Sequence, residues 1–254
     1  MYKYSKPIDE QDILFGSAAV SKYRNISITG GNEVSRMSFS YSSNRDEGLL
    51  IGSGLNRDSY NFKLNHNISD RLKLDLGARI TNRVVNGAGT GGSSSINVGN
   101  IVTKRPTNGV AENITIDPNS VNDDDLENFL LSQISPEEIV KQDWRKRSNL
   151  SYVFNTGLTW DITDNLKSVS NFSIKKDFEE SLRFYGPLTG TARNLGGNPV
   201  GRKQDKDVSS FRVTNTLIYN FKNLGEHDLS LLVGQETGSE WSKSQDVLVA
   251  GVRP

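Results

Sequence analysis

Tyr60-Asn61-Phe62-Lys63-Leu64-Asn65-His66-Asn67-Ile68-Ser69-Asp70-Arg71-Leu72-Lys73-Leu74-Asp75-Leu76-Gly77-Ala78-Arg79-Ile80-Thr81 alternates apolar with polar residues on both sides of a polar break. A period of two puts Tyr60, Phe62 and Leu64 on one face of a strand and Asn61, Lys63 and Asn65 on the other. After Ser69-Asp70-Arg71 the pattern resumes, with Leu72, Leu74, Leu76, Ala78 and Ile80 against Lys73, Asp75, Gly77, Arg79 and Thr81. Two such runs joined by a few turn-forming residues are an antiparallel hairpin with one apolar and one polar face.

The same pattern recurs along the chain. Leu150, Tyr152, Phe154, Leu158, Trp160 and Ile162 share a face, as do Phe211, Val213, Leu217, Tyr219 and Phe221, interrupted by Asn215. Alternation and turn signals together predict about eight strands, near 22–30, 34–44, 56–68, 72–84, 148–162, 166–183, 207–222 and 227–241. Several exceed the roughly 9–11 residues that a tilted membrane-spanning strand requires.

The connections are as informative as the strands. Short ones are expected at Gly30-Gly31-Asn32-Glu33, Ser69-Asp70-Arg71, Thr163-Asp164-Asn165 and Asn223-Leu224-Gly225-Glu226, and long ones at 45–55, 85–147 and 185–206. Long and short alternate, so every long loop falls at one end of the sheet, as in outer-membrane barrels with tight periplasmic turns and long extracellular loops. One turn occurs twice: Asn67-Ile68-Ser69-Asp70-Arg71-Leu72-Lys73 matches Asp161-Ile162-Thr163-Asp164-Asn165-Leu166-Lys167. Within 85–147, Asp123-Asp124-Asp125-Leu126-Glu127 and Ser135-Pro136-Glu137-Glu138 carry helix-start signals, so a short helix is expected in that loop.

These patterns define an all-β fold, an antiparallel up-and-down meander that forms a partial barrel wall, with residues 1–254 as one partial β-barrel domain. Only 34% of the residues are hydrophobic and the mean hydropathy is −0.53, as expected when every second strand residue faces water. Lys63 and Arg79 fix the register. A one-residue slip would turn both toward lipid, at about 2–4 kcal/mol each near the bilayer centre and less toward the interfaces. Tyr152, Trp160, Tyr219, Phe221 and Trp241 are expected near strand ends, as an aromatic girdle; Phe62 and Phe172 do not fit it.

Thirty basic and thirty acidic residues leave no net charge, which removes the electrostatic case for nucleic acid. The absence of cysteine excludes disulfides, zinc thiolates and thiol nucleophiles. Gly87-Ala88-Gly89-Thr90-Gly91-Gly92 fits a dinucleotide fingerprint, but Ser93-Ser94-Ser95 follows it where a helix is required, so it reads as flexible loop. His66 and His227 begin no metal or catalytic motif and read as wall residues near the short turns. The paired acids Asp123-Asp124-Asp125, Glu137-Glu138 and Glu179-Glu180 lack the opposed placement that glycoside hydrolysis needs, and the Asp run lacks calcium-loop spacing. No catalytic residue, cofactor or metal site is expected; the chain reads as a non-enzyme.

Three segments point to a family. Asn25-Ile26-Ser27-Ile28-Thr29-Gly30-Gly31-Asn32-Glu33, with Phe39-Ser40-Tyr41 and Asp46-Glu47-Gly48-Leu49-Leu50, resembles an early-barrel hairpin of the SusC/RagA family of TonB-dependent outer-membrane transporters of Bacteroidetes. Arg105-Pro106-Thr107-Asn108-Gly109 resembles a loop motif of that family, and Phe184-Tyr185-Gly186-Pro187-Leu188-Thr189, with Ala192-Arg193 and Gly196-Gly197, an extracellular-loop motif of one branch. The resemblance implies a 22-stranded multi-pass barrel in the outer membrane, plugged by an N-terminal domain and energised through the TonB complex. It further implies a SusD-like surface lipoprotein as lid and a large glycan or peptide as substrate. Met1-Tyr2-Lys3-Tyr4-Ser5-Lys6-Pro7 is not followed by an apolar signal region, and no plug sequence is present, so an internal early-barrel piece is expected. The loop aromatics Trp144, Phe184 and Tyr185 are the candidate ligand-binding residues.

The alternative is a binding or adhesive module, built as a small closed outer-membrane barrel or a soluble β-sandwich. Solvent separates the sandwich from either barrel. A membrane wall is expected to keep its strand content by circular dichroism only in detergent or lipid, whereas a folded, monodisperse chain without detergent would favour the sandwich.

Overall fold

A computed structural model describes residues 9–16, 18–87, 142–187, 189–224 and 227–252. Eight strands form a single antiparallel sheet in sequence order: β1 (Ser21–Gly31), β2 (Ser35–Glu47), β3 (Gly54–Ser69), β4 (Leu72–Gly87), β5 (Asp143–Asp161), β6 (Leu166–Tyr185), β7 (Val200–Leu224) and β8 (His227–Ala250). Among the described residues β1 and β8 pair with β2 and β7 alone, so the sheet is open and is not a closed eight-stranded barrel. Among the described residues two short helices accompany it, α1 (Glu10–Phe15) and α2 (Gly190–Asn194). The helix expected within 85–147 lies outside the described residues.

The register is the one the alternation demands. Tyr60 faces Ile80, Phe62 faces Ala78 and Leu64 faces Leu76; one step over, Asn61 faces Arg79 and Lys63 faces Gly77. Arg79 Nε donates to Asn61 Oδ1 at 2.8 Å, and Asn65 donates to Asp75, so the polar face satisfies itself across the strands. Along the apolar face the rows continue, Ile80 to Tyr152 and Ala78 to Phe154. Asn215 is not an isolated interruption. It stands between Ser170 and Gln235, so three polar residues share one row of that face on β6, β7 and β8.

The short turns are built from side-chain acceptors. Asn32 Oδ1 accepts from the Val34 and Ser35 amides at 2.9 and 2.8 Å. In the repeated turn, Ser69 Oγ accepts from Arg71 N at 3.3 Å and Thr163 Oγ1 accepts from Asn165 N at 3.3 Å, the same bond at matching positions. The two turns also touch: Arg71 pairs with Asp164 at 2.9 Å and its carbonyl accepts from Asp161 N at 2.8 Å. Gly31 has φ +149°, and a side chain there would collide with the Ser35 carbonyl. His66 Nδ1 sits 2.6 Å from Ser35 Oγ beside this turn, and His227 opens β8, so both histidines are wall residues.

Little of the chain is buried. Among the described residues the buried apolar ones are Leu14, Leu50, Phe184, Tyr185, Ala192 and Val200, all at the long-loop end. There α1 closes over the β2–β3 loop, with Ile51 N donating to Leu14 O at 3.0 Å. The middle of the sheet has no core: Phe62, Ile80, Phe154, Leu158, Phe172, Ile174, Leu217 and Val233 stand exposed on one face. Such a continuous apolar surface requires a cover. Aromatic residues border it on two levels. Toward the long loops lie the ring pairs Tyr41–Tyr60, Tyr152–Phe178 and Phe211–Trp241; toward the short turns lie Trp160 and the pair Tyr219–Phe221. Tyr152 and Trp160 are eight positions apart, and Phe211 and Phe221 ten. At about 3.4 Å per residue and a tilt of about 35–45°, that separation is about 19–28 Å of height, which matches an outer-membrane apolar band of about 25 Å.

Tyr152 and Trp241 therefore border the band from within β5 and β8, not from strand ends. The ladder runs on past them: β8 reaches Ala250 instead of 241, β7 starts at Val200 instead of 207, and the 45–55 loop shrinks to 48–53. Above the band both faces are wet, so alternation disappears while backbone pairing continues. No helix among the described residues is long and apolar enough to cross a membrane, which is silent about strands. Leu76→Arg on the apolar face is expected to destabilise an intact barrel by about 2–4 kcal/mol, whereas Gln at Asn65 on the polar face stays near neutral, checked by urea unfolding in bilayers.

Candidate functional site

The polar face and its extension beyond the aromatic border form the surface with the most chemistry. On this face β5 contributes Asp143, Arg145 and Arg147, β6 Glu179, Ser181, Arg183 and Tyr185, β7 Val200, Arg202, Gln204 and Lys206, and β8 Asp246. Arg183 grips Asp143 through two nitrogens, Nε to Oδ1 at 2.8 Å and Nη2 to Oδ2 at 2.6 Å, and Asp143 is fully buried. The Arg183 guanidinium also lies over the Tyr185 ring, 4.6 Å from its centre. One strand further on, Arg202 Nε donates to Asp246 Oδ1 at 3.0 Å, and Gln204 Nε2 donates to Asp246 Oδ2 at 3.0 Å. Hydrogen bonding to Arg202, then to Gln204, holds the Asp246 carboxyl below its ordinary range.

A compact loop covers the end of this network. Thr189 Oγ1 donates to Gly186 O at 2.8 Å and accepts from Ala192 N at 3.3 Å, capping α2 at its start. Gly196 and Gly197, with φ +86° and +77°, end the helix in left-handed conformations and turn the chain into β7. Ala192 packs with Tyr185 and Val200 in one buried cluster. The loop motif read in the sequence is thus a folding unit: Thr189 caps it, Ala192 fits it to the sheet and the glycine pair reverses it.

The three aromatic candidates separate. Tyr185 lies on the polar face under α2 and is 5% exposed, while its neighbour Phe184 points to the opposite face, 7% exposed, against Trp144. Trp144 and Phe184 stack with ring centres 6.4 Å apart. They stand directly opposite each other across β5 and β6, which the loop boundaries drawn from the sequence concealed. The opposite face above the aromatic border has its own charges, in a recess of about 400 Å³ lined by Asn82, Phe178, Glu180, Asp205, Asp207 and Lys243. Lys203 spans Glu180 and Asp205 at 2.8 and 3.4 Å. Further down, Lys176 Nζ sits 4.7 Å from the Phe178 ring centre. Among the described residues no cluster of His, Cys, Asp or Glu could hold a metal ion.

Comparison with solved structures finds this arrangement in known transport proteins. A chain of the RagAB peptide transporter superposes with a TM-score of 0.68 at 16% identity, over 96% of this chain and 27% of that one. The chain shares that fold. The RagAB peptide importer in its open-open state matches with a TM-score of 0.69 at 16% identity, covering the same shares, and in its closed-closed state with 0.62 at 17%, covering 95% and 27%. The chain thus spans about a quarter of the length of the solved chains it matches. No protein-family model and no curated protein matches the sequence.

The Arg202–Asp246 contact sets a pH dependence. A carboxylate with a depressed folded-state pKa stabilises fully above its unfolded value, about 3.9, and that contribution is lost as pH falls through the lower folded-state value. The amides around 246 are expected to keep their hydrogen-exchange protection down to about pH 4 and to lose it below. Asp246→Asn should abolish that acid dependence.

Proposed function

We propose that this chain forms part of the wall and extracellular loops of a TonB-dependent outer-membrane importer of the SusC/RagA type. The observation that carries the reading is the two-faced open sheet, whose uncovered apolar band is framed by aromatic residues and whose longer loops all lie at one end. In this reading the apolar face meets outer-membrane lipid and the polar face lines the lumen. The free edges of β1 and β8 pair with further strands of a larger barrel, which removes the hazard of two open edges. Residues 1–254 are then one partial barrel domain.

The cargo is a large nutrient, a peptide or an oligosaccharide. The fold shared with peptide importers supports the peptide first. A SusD-like lipoprotein at the long-loop end serves as lid, and the TonB complex acts through parts of the importer outside this chain. Of Trp144, Phe184 and Tyr185, Tyr185 lies on the lumenal face but is buried under α2, and it bears on cargo by holding Arg183 above its ring. Trp144 and Phe184 bear on cargo through the shape of the loop.

The absence of native cysteine makes topology directly measurable in this segment. In the intact importer, Thr81→Cys is expected to react with a water-soluble maleimide and Ile80→Cys to be shielded by lipid. Equal labelling of the two would end the barrel-wall reading. Tyr185→Ala should weaken cargo uptake more than Trp144→Ala, and unchanged uptake would retire Tyr185 as a positioning residue for Arg183.

A further inference from the structure

On the polar face, three arginines stand directly opposite one another: Arg145 on β5 faces Arg183 on β6, which faces Arg202 on β7. A second direct opposition, Arg57 to Arg83, lies on β3 and β4 on the same face. Like charges in direct opposition destabilise a sheet, so such rows need compensating anions. Arg183 has Asp143 and Arg202 has Asp246. Arg145 has no ion pair among the described residues; its hydrogen bond goes to the neutral Ser181 Oγ at 3.4 Å. Two residues nearer the membrane, Arg147 Nε comes within 3.4 Å of Glu179 Oε1 but makes no aligned hydrogen bond.

Arg145 is half-buried, and repulsion from Arg147 and Arg183 outweighs the attraction of Glu179. Burial, and then Arg147 and Arg183, pull its pKa down from the ordinary guanidinium value. It remains charged, because an arginine does not give up its proton in a protein. The opposite face at the same height is built differently: there the one cation Lys203 sits between two carboxylates, Glu180 and Asp205. Among the described residues the polar face therefore holds a cationic row in which the Arg145 guanidinium has no ion pair, beside two neighbours already held rigid by buried or bidentate carboxylates.

We propose that Arg145, Arg147, Arg183 and Arg202 form a docking site for an acidic side chain of a peptide cargo. The inference rests on the importer reading, which places this face in the lumen. A guanidinium presents two parallel N–H donors that match a carboxylate, the geometry Arg183 already adopts with Asp143. The fork of Arg145 is open to a second carboxylate. Because Arg183 is clamped by Asp143 and stacked on Tyr185, little side-chain freedom is lost on binding. The site favours acidic over neutral peptides of equal length, and its preference falls with salt.

The test uses the full-length importer in detergent, with isothermal titration of two peptides of equal length, one bearing glutamates and the other glutamines at the same positions. The glutamate peptide is expected to bind about tenfold tighter or better at low ionic strength, the scale of one hydrogen bond between charged groups. Arg145→Gln should bring it to the level of the glutamine peptide without altering the latter, and Arg145→Lys should restore part of the difference. Heat-modifiable migration shows that each variant still folds. Equal affinity of the two peptides, or a preference untouched by Arg145→Gln and by Arg145→Gln with Arg147→Gln, would overturn the arginine site while leaving the importer reading intact. Failure of both peptides to bind would overturn the peptide-import reading and the site with it.

Discussion

In the importer reading this sheet crosses hydrocarbon, where a backbone amide has no water to turn to, and its continuous ladder meets that constraint. A strand can cross only if both neighbours complete its hydrogen bonds. The ladder here is continuous from β1 to β8, and its register shifts are confined to two short turns, between Asn67 and Ser69 and between Phe221 and Leu224. Because the backbone is satisfied within the sheet, the side chains are free to divide by solvent. Leucine, valine and aromatic residues take one face; lysine, arginine, asparagine and serine take the other.

The same pairing explains why the strands run on past the aromatic border. Once the backbone pairs strand to strand, nothing at the aromatic border requires pairing to stop, and β7 and β8 continue for 25 and 24 residues. Above the border the energetics change. Apolar burial gives way to cross-strand charge pairs such as Arg45–Asp58, at 2.7 Å, and Arg202–Asp246. Exposed pairs of this kind contribute little to stability individually. Their effect is to set which charges are neutralised and which are not.

The compact loop between β6 and β7 shows how local chemistry and the sheet cooperate. Thr189 and the glycine pair at 196 and 197 specify a turn of helix, but five residues cannot hold a helix in water unaided. Ala192 provides the missing stabilisation by packing on Tyr185 and Val200, side chains that two strands deliver to one face.

The sequence by itself determined the eight strands, their meander order, the lipid-facing and polar sets and the end of the sheet that carries the long loops. Those properties are written in a period of two and in turn residues, both local signals, and a one-residue slip at Lys63 or Arg79 would be penalised at once. Helix α1 left no such trace, because Ile13, Leu14 and Phe15 are too short a run for any period, and only Leu14 is buried, where its carbonyl accepts from Ile51 N. The strand extensions were hidden for a related reason: Arg202-Lys203-Gln204-Asp205-Lys206-Asp207 is polar on both faces and reads as loop. The tertiary structure alone decided that Trp144 stacks on Phe184 away from Tyr185, and that Arg145, Arg183 and Arg202 form one row. Those relations depend on cross-strand register between residues far apart in the chain, which alternation within a strand does not encode.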